Sequence, residues 1–403
     1  MSDRSEIQQG IIANDQATIQ INKVEQNFGT QPPKPTGDAP PTNLQDRGVA
    51  RDRFFGRDDV LEELHQLLQK GEHRVAIASV DGMGGVGKTE LAVQYARQHL
   101  HETYRGGVVW LAGERAGVEL LNFARSRFFP TVDLADLGDL PEQLAYCFGH
   151  WPAQEVPPES VLLIFDDVTD YRTQVGAILP SDSRFRVLIT TRAKFQGVER
   201  LELQVLTPEA ALQLLESIVG TERIAAERAT AEELCDWLGF LPLGIQLAGY
   251  YIVEEDCDLS ELLQELEVRK RKLQHPALKT PEPTMTAQLG VEAAFELSWE
   301  RLDLDARFIG AYLSLFAAAP IPWELVVSRE EVSPEAYEAI STARRKLVRF
   351  SLLQKVGKLF QYHPLIKHFF SEKLEADEFI VPPSHQLTGA TTEIRRLVGL
   401  EDE

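Results

Sequence analysis

Cysteine is scarce in this sequence, with three residues in a chain of 403. Cys147, Cys235 and Cys257 lie far apart and form no C-x-x-C pair. Neither a disulfide framework nor a thiolate zinc site is indicated, and a reducing cytosol fits. Long apolar runs are missing as well. None reaches the roughly 18 residues that a membrane span needs, and the polar, acid-containing N-terminus has neither the basic nor the apolar region of a signal peptide. The expectation is a soluble, cytoplasmic protein with no membrane partner. Positive charge is in short supply: 41 Lys and Arg stand against 62 Asp and Glu, a formal charge of −21. That balance repels nucleic acid and anionic membranes except where basic residues cluster locally. No repeat with a period of roughly 20 to 50 residues is visible.

Apolar material is plentiful, at 43% of residues, and the length suggests roughly two to four domains of about 150 residues each. The most informative stretch runs from Arg74 to Leu100. A short β-branched run, Val75 to Val80, leads into Asp81-Gly82-Met83-Gly84-Gly85-Val86-Gly87-Lys88-Thr89, and a helical pattern follows. This reads as strand, phosphate loop and helix. Gly82, Gly84, Gly85 and Gly87, with Val86 between them, leave room for a phosphate against the loop's backbone N–H groups. Lys88 supplies a point charge to the β and γ phosphates. Thr89 and Glu90 open the helix, where the Thr89 hydroxyl suits Mg²⁺ and the free N–H groups of the first turn face the anion.

Around this stretch the chain alternates strand and helix. Gly107–Leu111, Val161–Phe165, Arg186–Thr191 and Leu201–Leu203 read as strands without polar alternation. Such strands imply a parallel sheet covered by helices on both faces, with ligands beyond its carboxyl edge. The phosphate loop, Asp166 and Arg192 all fall at that edge. Asp166, ending its strand, suits Mg²⁺ held through water. Asp167 stands where a carboxylate would polarise the attacking water, or else it caps the next helix. Arg192 would read the γ phosphate, or else makes a surface ion pair. Slow hydrolysis follows from the short reach of Asp167.

The expected organisation is an N-terminal arm over 1–29, read either as one strand (Ala17–Val24) or as a disordered leader. A Pro-rich linker follows over 30–49, then a P-loop domain over 50–206 and a helical domain over 207–275. A linker over 276–286, a winged-helix domain over 287–376 and a tail over 377–403 complete it. The wing is expected as two short strands around Val356-Gly357-Lys358. The basic run Arg269-Lys270-Arg271-Lys272 reads as a solvated helix end.

The motifs resemble a family. Phe55-Gly56-Arg57, Gly82 to Thr89, Leu162 to Asp167, Thr190-Thr191-Arg192, Leu238 to Gly249 and Tyr362-His363-Pro364-Leu365 occur in the order seen in the NB-ARC class of STAND P-loop NTPases. That class includes plant disease-resistance proteins, apoptosome scaffolds and bacterial regulators. The resemblance covers about residues 50 to 375. It implies a nucleotide buried between a P-loop domain, a helical domain and a winged helix, with ADP holding the three closed and ATP permitting self-association. It also implies that Phe55 and Arg57 border the adenine and ribose, with Gly56 between them counted in the nucleotide site, that Pro242 packs on the nucleotide, and that His363 reaches the β phosphate. Two departures stand out: Phe240 replaces a usual glycine, and Pro364 replaces a frequent aspartate.

The function expected is an ADP/ATP-operated switch with low-turnover ATPase activity and Mg²⁺ as cofactor. It would self-associate in the ATP state and engage a protein partner through the N-terminal arm. The alternative is an ATP-dependent winged-helix DNA-binding regulator, supported locally by Arg344, Arg345, Lys346 and Arg349 and opposed by the overall charge. A small-molecule kinase is disfavoured by the large helical extension.

Overall fold

The computed structural model describes residues 39–44, 53–70, 74–79, 84–153, 160–193, 195, 197–273, 283–316, 320–327 and 332–375. The arm over 1–29, Gly82 with Asp81 and Met83, and the tail over 377–403 lie outside the described residues.

Helix α1 (Asp58–Gln69) precedes strand β1 (Arg74–Ser79) and helix α2 (Lys88–His99). There follow β2 (Gly107–Ala112), α3 (Ala116–Arg127), α4 (Leu140–Gly149), β3 (Val161–Val168), the single turn α5 (Tyr171–Gln174), β4 (Phe185–Thr191) and β5 (Glu199–Leu203). The five strands form one parallel sheet in the order β2-β3-β4-β1-β5. Its uninterrupted apolar strands are buried on both faces: Val75, Ile77 and every residue from Val161 to Phe165 are inaccessible to solvent. β1 lies between β4 and the edge strand β5, and the three strands run parallel, so their carboxyl ends lie side by side. That arrangement creates the crevice in which an open α/β sheet binds ligands.

Part of the stretch expected as a linker docks on the sheet. Thr42 bridges Val108 on edge strand β2, the Asn43 side chain accepts from the N–H of Trp110 at 2.7 Å and donates to its carbonyl at 2.9 Å, and Leu44 is buried. An unpaired edge would otherwise expose these ladder groups.

After β5 the sheet ends. Thr207 caps helix α6 (Pro208–Val219) by accepting the N–H of Ala210, with Pro208 at the first helical position. Helices α7 (Thr221–Ala226), α8 (Arg228–Trp237), α9 (Pro242–Glu255) and α10 (Leu259–Leu273) complete a helical cluster. Phe240, just before α9, takes φ +54°, the left-handed conformation for which glycine is suited. Its carbonyl accepts the N–H of Leu206, tying the start of α9 to the segment after β5.

Helix α11 (Pro283–Arg301) begins inside the expected 276–286 linker, since Pro283 stands at the helix start, where it sacrifices no intrahelical bond. It packs on α9 and α10 and on the C-terminal elements. These are α12 (Leu304–Ser314), β6 (Ile321–Pro322), α13 (Trp323–Val326), α14 (Pro334–Arg349), β7 (Gln354–Val356), β8 (Leu359–Gln361) and α15 (Pro364–Glu375). The expected pair of strands is joined by a third. β6 pairs with β8 in the antiparallel order β6-β8-β7, and with only two residues it shows no periodicity in the sequence.

Candidate functional site

The phosphate loop ends at Gly87, whose φ of +98° turns the chain into α2. No side chain caps α2, so its first N–H groups face the crevice at the positive end of the helix dipole. Lys88 sits there with its ammonium pulled down to about 8, first by burial and then by the neighbouring Arg192, while Asp167 and Asp166 act in the opposite sense. A cation held against such a shift has a strong electrostatic preference for an incoming anion.

The carboxylates at the end of β3 meet the loop from the side. Thr89 donates to Oδ1 of Asp166 at 2.9 Å, placing the hydroxyl and carboxylate expected to serve Mg²⁺ within one bond of each other. This donor set suits a hard cation. Asp166 lies behind the cavity wall, whereas Asp167 and Arg192 line it, with Nε of Arg192 4.0 Å from Oδ1 of Asp167. When a metal ion is bound, it would neutralise charge on the bridging phosphates. Thr89 and Asp166 are the residues that would hold it.

The Phe55-Gly56-Arg57 motif divides its tasks. Phe55 and Arg57 line the cavity, together with Arg53 and Phe54. Arg57 is buried, with Nη2 donating to the carbonyl of Gln204 at 2.7 Å and of Val86 at 3.4 Å. Burial lowers its guanidinium to about 10. It therefore braces the phosphate loop against the segment after β5 as well as facing the cavity. Gly56 does not line the cavity. Its φ is +63° and a Cβ there would stand 2.4 Å from Cβ of Ala210, so glycine lets α6 approach.

Two further elements close over the loop. Pro242 and Leu243, at the start of α9, line the cavity, and the N–H of Leu243 donates to the carbonyl of Gly85 at 3.4 Å. From the C-terminal side His363 and Pro364 line it too. Nδ1 of His363 accepts the N–H of Leu365 at 3.2 Å, which leaves Nε2 as the protonated nitrogen and a donor. Burial first, then Arg192 and Lys88, push the imidazole down to about 3, so it is neutral at physiological pH. Leu365 rests on the loop itself: a Cβ added to Gly84 would lie 2.8 Å from Cδ1 of Leu365.

Phe55, Arg57, Gly84 to Glu90, Asp167, Arg192, Pro242 and His363 thus share one cavity, while Gly56 and Asp166 stand just outside its wall. The cavity also takes residues with no role expected from sequence, among them Thr190, Gln246 and Gln354. Thr190 was within reach, since it opens the Thr190-Thr191-Arg192 motif. Gln354 carries no signal, because only the fold brings the start of β7 to the phosphate loop.

No family model matches the chain. It is 29% identical over 336 residues to the regulatory protein AfsR of Streptomyces griseus, a match covering 81% of this chain and 33% of that protein. It is 27% identical over 212 residues to a probable disease resistance RPP8-like protein 2 of Arabidopsis thaliana, covering 49% of this chain and 22% of the relative. The chain spans a third or less of the length of these curated relatives. Its fold is similar to that of a STAND (signal transduction ATPase with numerous domains) protein with a tetratricopeptide repeat sensor from Pyrococcus horikoshii. That match has a TM-score of 0.51 and 18% identity over 82% of this chain and 44% of the other. All six ordered motifs reach one cavity, and together with these likenesses they support the NB-ARC class of STAND P-loop NTPases for this chain.

Proposed function

We propose that this protein is a nucleotide-operated switch. It binds ADP or ATP with Mg²⁺, changes shape and self-associates when ATP replaces ADP, and resets by slow hydrolysis. The observation that carries the reading is the meeting of Lys88, Pro242 and His363 on one cavity, since a ligand held by all three couples the elements they belong to. In this assignment Lys88 and the start of α2 take the phosphates, Thr89 and Asp166 the metal ion, and Asp167 the attacking water. Arg192 reads the terminal phosphate, and Phe55, Arg57 and Pro242 border the nucleoside. His363 donates through Nε2 to the β phosphate. Residues 287–376 act as a winged-helix unit, and Leu365, seated on Gly84, must leave when that unit swings away.

The basic residues behind the DNA-binding alternative have partners within the chain. Arg345 bonds Glu338, Lys346 pairs with Asp303 at 3.1 Å, Arg349 reaches Glu254 at 3.4 Å, and Arg344 lies over the rings of Trp323 and Phe360. These cations are engaged within the chain, which lowers what they have to offer a phosphate backbone.

The test is the identity of the nucleotide that copurifies, combined with sedimentation of wild-type and His363→Ala protein in ADP and in ATP. Bound ADP, with a larger assembly in ATP and a His363→Ala variant that assembles even in ADP, is the expected result. No bound nucleotide, and sedimentation indifferent to nucleotide and variant, would overturn it.

A further inference from the structure

Strands β3 and β4 run in register from Val161 opposite Phe185 to Phe165 opposite Ile189, and pairing resumes only at Val168 opposite Thr191. Two residues of β3, Asp166 and Asp167, thus face one residue of β4, Thr190. This is a bulge. Asp167 takes φ +53° within it, a left-handed conformation that is uncommon for a non-glycine residue and costs it some backbone strain.

Side chains on β4 replace the broken ladder. Oγ1 of Thr190 accepts the N–H of Asp167 at 2.9 Å and donates its own proton to Oδ1 of Asp166 at 2.5 Å. Oγ1 of Thr191 donates to the carbonyl of Val168 at 2.6 Å. Thr190 is 2% exposed, so its hydroxyl is largely shielded from bulk solvent. A hydroxyl has one proton, and both roles here have a fixed direction: Asp167 N–H to Thr190, Thr190 O–H to Asp166.

We propose that Thr190 is a positioning residue for hydrolysis, holding the Asp166 carboxylate toward Thr89 and fixing the strained backbone that aims Asp167 at Arg192 and the cavity. This rests on the nucleotide reading above. In that hydrolysis the water oxygen bonds to the terminal phosphorus and the bond to the bridging oxygen breaks with its electron pair going to ADP. The water's proton leaves by way of the Asp167 carboxylate. Thr190 is assigned no part in making or breaking these bonds. It sets where the two carboxylates stand.

The experiment compares Thr190→Val, which keeps the β-branched shape without the hydroxyl, with Thr190→Ser, which keeps the hydroxyl. Both are made in the full chain. Hydrogen exchange over the peptide 161–170, without nucleotide, should show the Asp167 amide exchanging at least about tenfold faster in Thr190→Val and near wild type in Thr190→Ser. The Mg²⁺ concentration needed for tight ADP binding, and the single-turnover ATP hydrolysis rate, should each worsen by about 10- to 100-fold in Thr190→Val. Thr190→Ser should recover most of both losses. Unchanged exchange in Thr190→Val, or equal defects in the two variants, would overturn the proposal. Should Thr190→Val fail to fold, Thr190→Ala takes its place with the same expectations. If wild-type protein binds no nucleotide at all, the functional reading fails, while the exchange comparison still decides whether the hydroxyl holds the bulge.

Discussion

Raising the pH offers a direct test of the phosphate site, because Lys88 begins with an ammonium already near neutrality. With its pKa at about 8 in the ligand-free protein, the amine is about 10% deprotonated at pH 7, about half at pH 8 and about 90% at pH 9. A polyphosphate beside it restores the proton. Binding should therefore take up about 0.1, 0.5 and 0.9 proton at the three pH values. Apparent affinity should fall about tenfold from pH 7 to pH 9, or about 1.4 kcal/mol. The nucleotide's terminal phosphate, with a second pKa near about 6, is already ionised across the upper part of this window. Folding stability runs the other way. The folded pKa lies below the unfolded value of 10.5, so between about pH 8 and 10.5 the unfolded chain holds more protons and this group's contribution rises with pH. Calorimetric titration of ADP in buffers of different ionisation enthalpy measures the uptake. Lys88→Arg, which stays charged, should abolish it. Uptake absent in wild type at pH 8, or undiminished in Lys88→Arg, would refute the electrostatic account of the site.

Three other outcomes are expected. Gly56→Ala places a methyl 2.4 Å from Cβ of Ala210 at a positive φ and should destabilise the fold by about 2–4 kcal/mol, from overpacking and the left-handed backbone together; chemical denaturation that leaves the midpoint unmoved would contradict the close approach. His363, with its folded pKa pushed below the unfolded 6.5 to about 3, should make the ligand-free protein lose stability as pH falls below about 6.5, and His363→Gln should flatten that slope in thermal melts between pH 7.5 and 5.5. Arg344→Ala, removing a guanidinium 4.4 Å from the Trp323 ring and 4.8 Å from Phe360, should cost about 1–2 kcal/mol while duplex DNA binding stays undetectable before and after, read by fluorescence anisotropy across a salt series.

Much of the architecture is legible locally. The phosphate loop is recognisable because its chemistry needs glycines, a lysine and a hydroxyl at fixed spacing along one turn. The parallel strands are recognisable because burial on both faces leaves no room for polar alternation. The third strand Ile321–Pro322 is not, being too short to show a period, and neither is the start of α11 at Pro283, where proline reads equally as a linker and as a first helical residue. Gly56 shows the limit for a single residue. The motif that contains it names its neighbourhood, but only the approach of α6 reveals that the missing Cβ makes room for Ala210.

By itself the sequence determined the loop that can cradle a polyphosphate, the strand ends that carry Asp166, Asp167 and Arg192, and the order of the elements, because each is written within a few consecutive residues. Tertiary structure decided what lies more than a hundred residues away in the chain and a few ångströms away in space. Leu365 rests on Gly84, the Leu243 N–H meets the Gly85 carbonyl, and His363 sits neutral beside two cations. Burial and electric fields depend on neighbours from distant segments. The same side chains therefore acquire their proton affinities, and their coupling to one another, only once the chain has folded around the cavity.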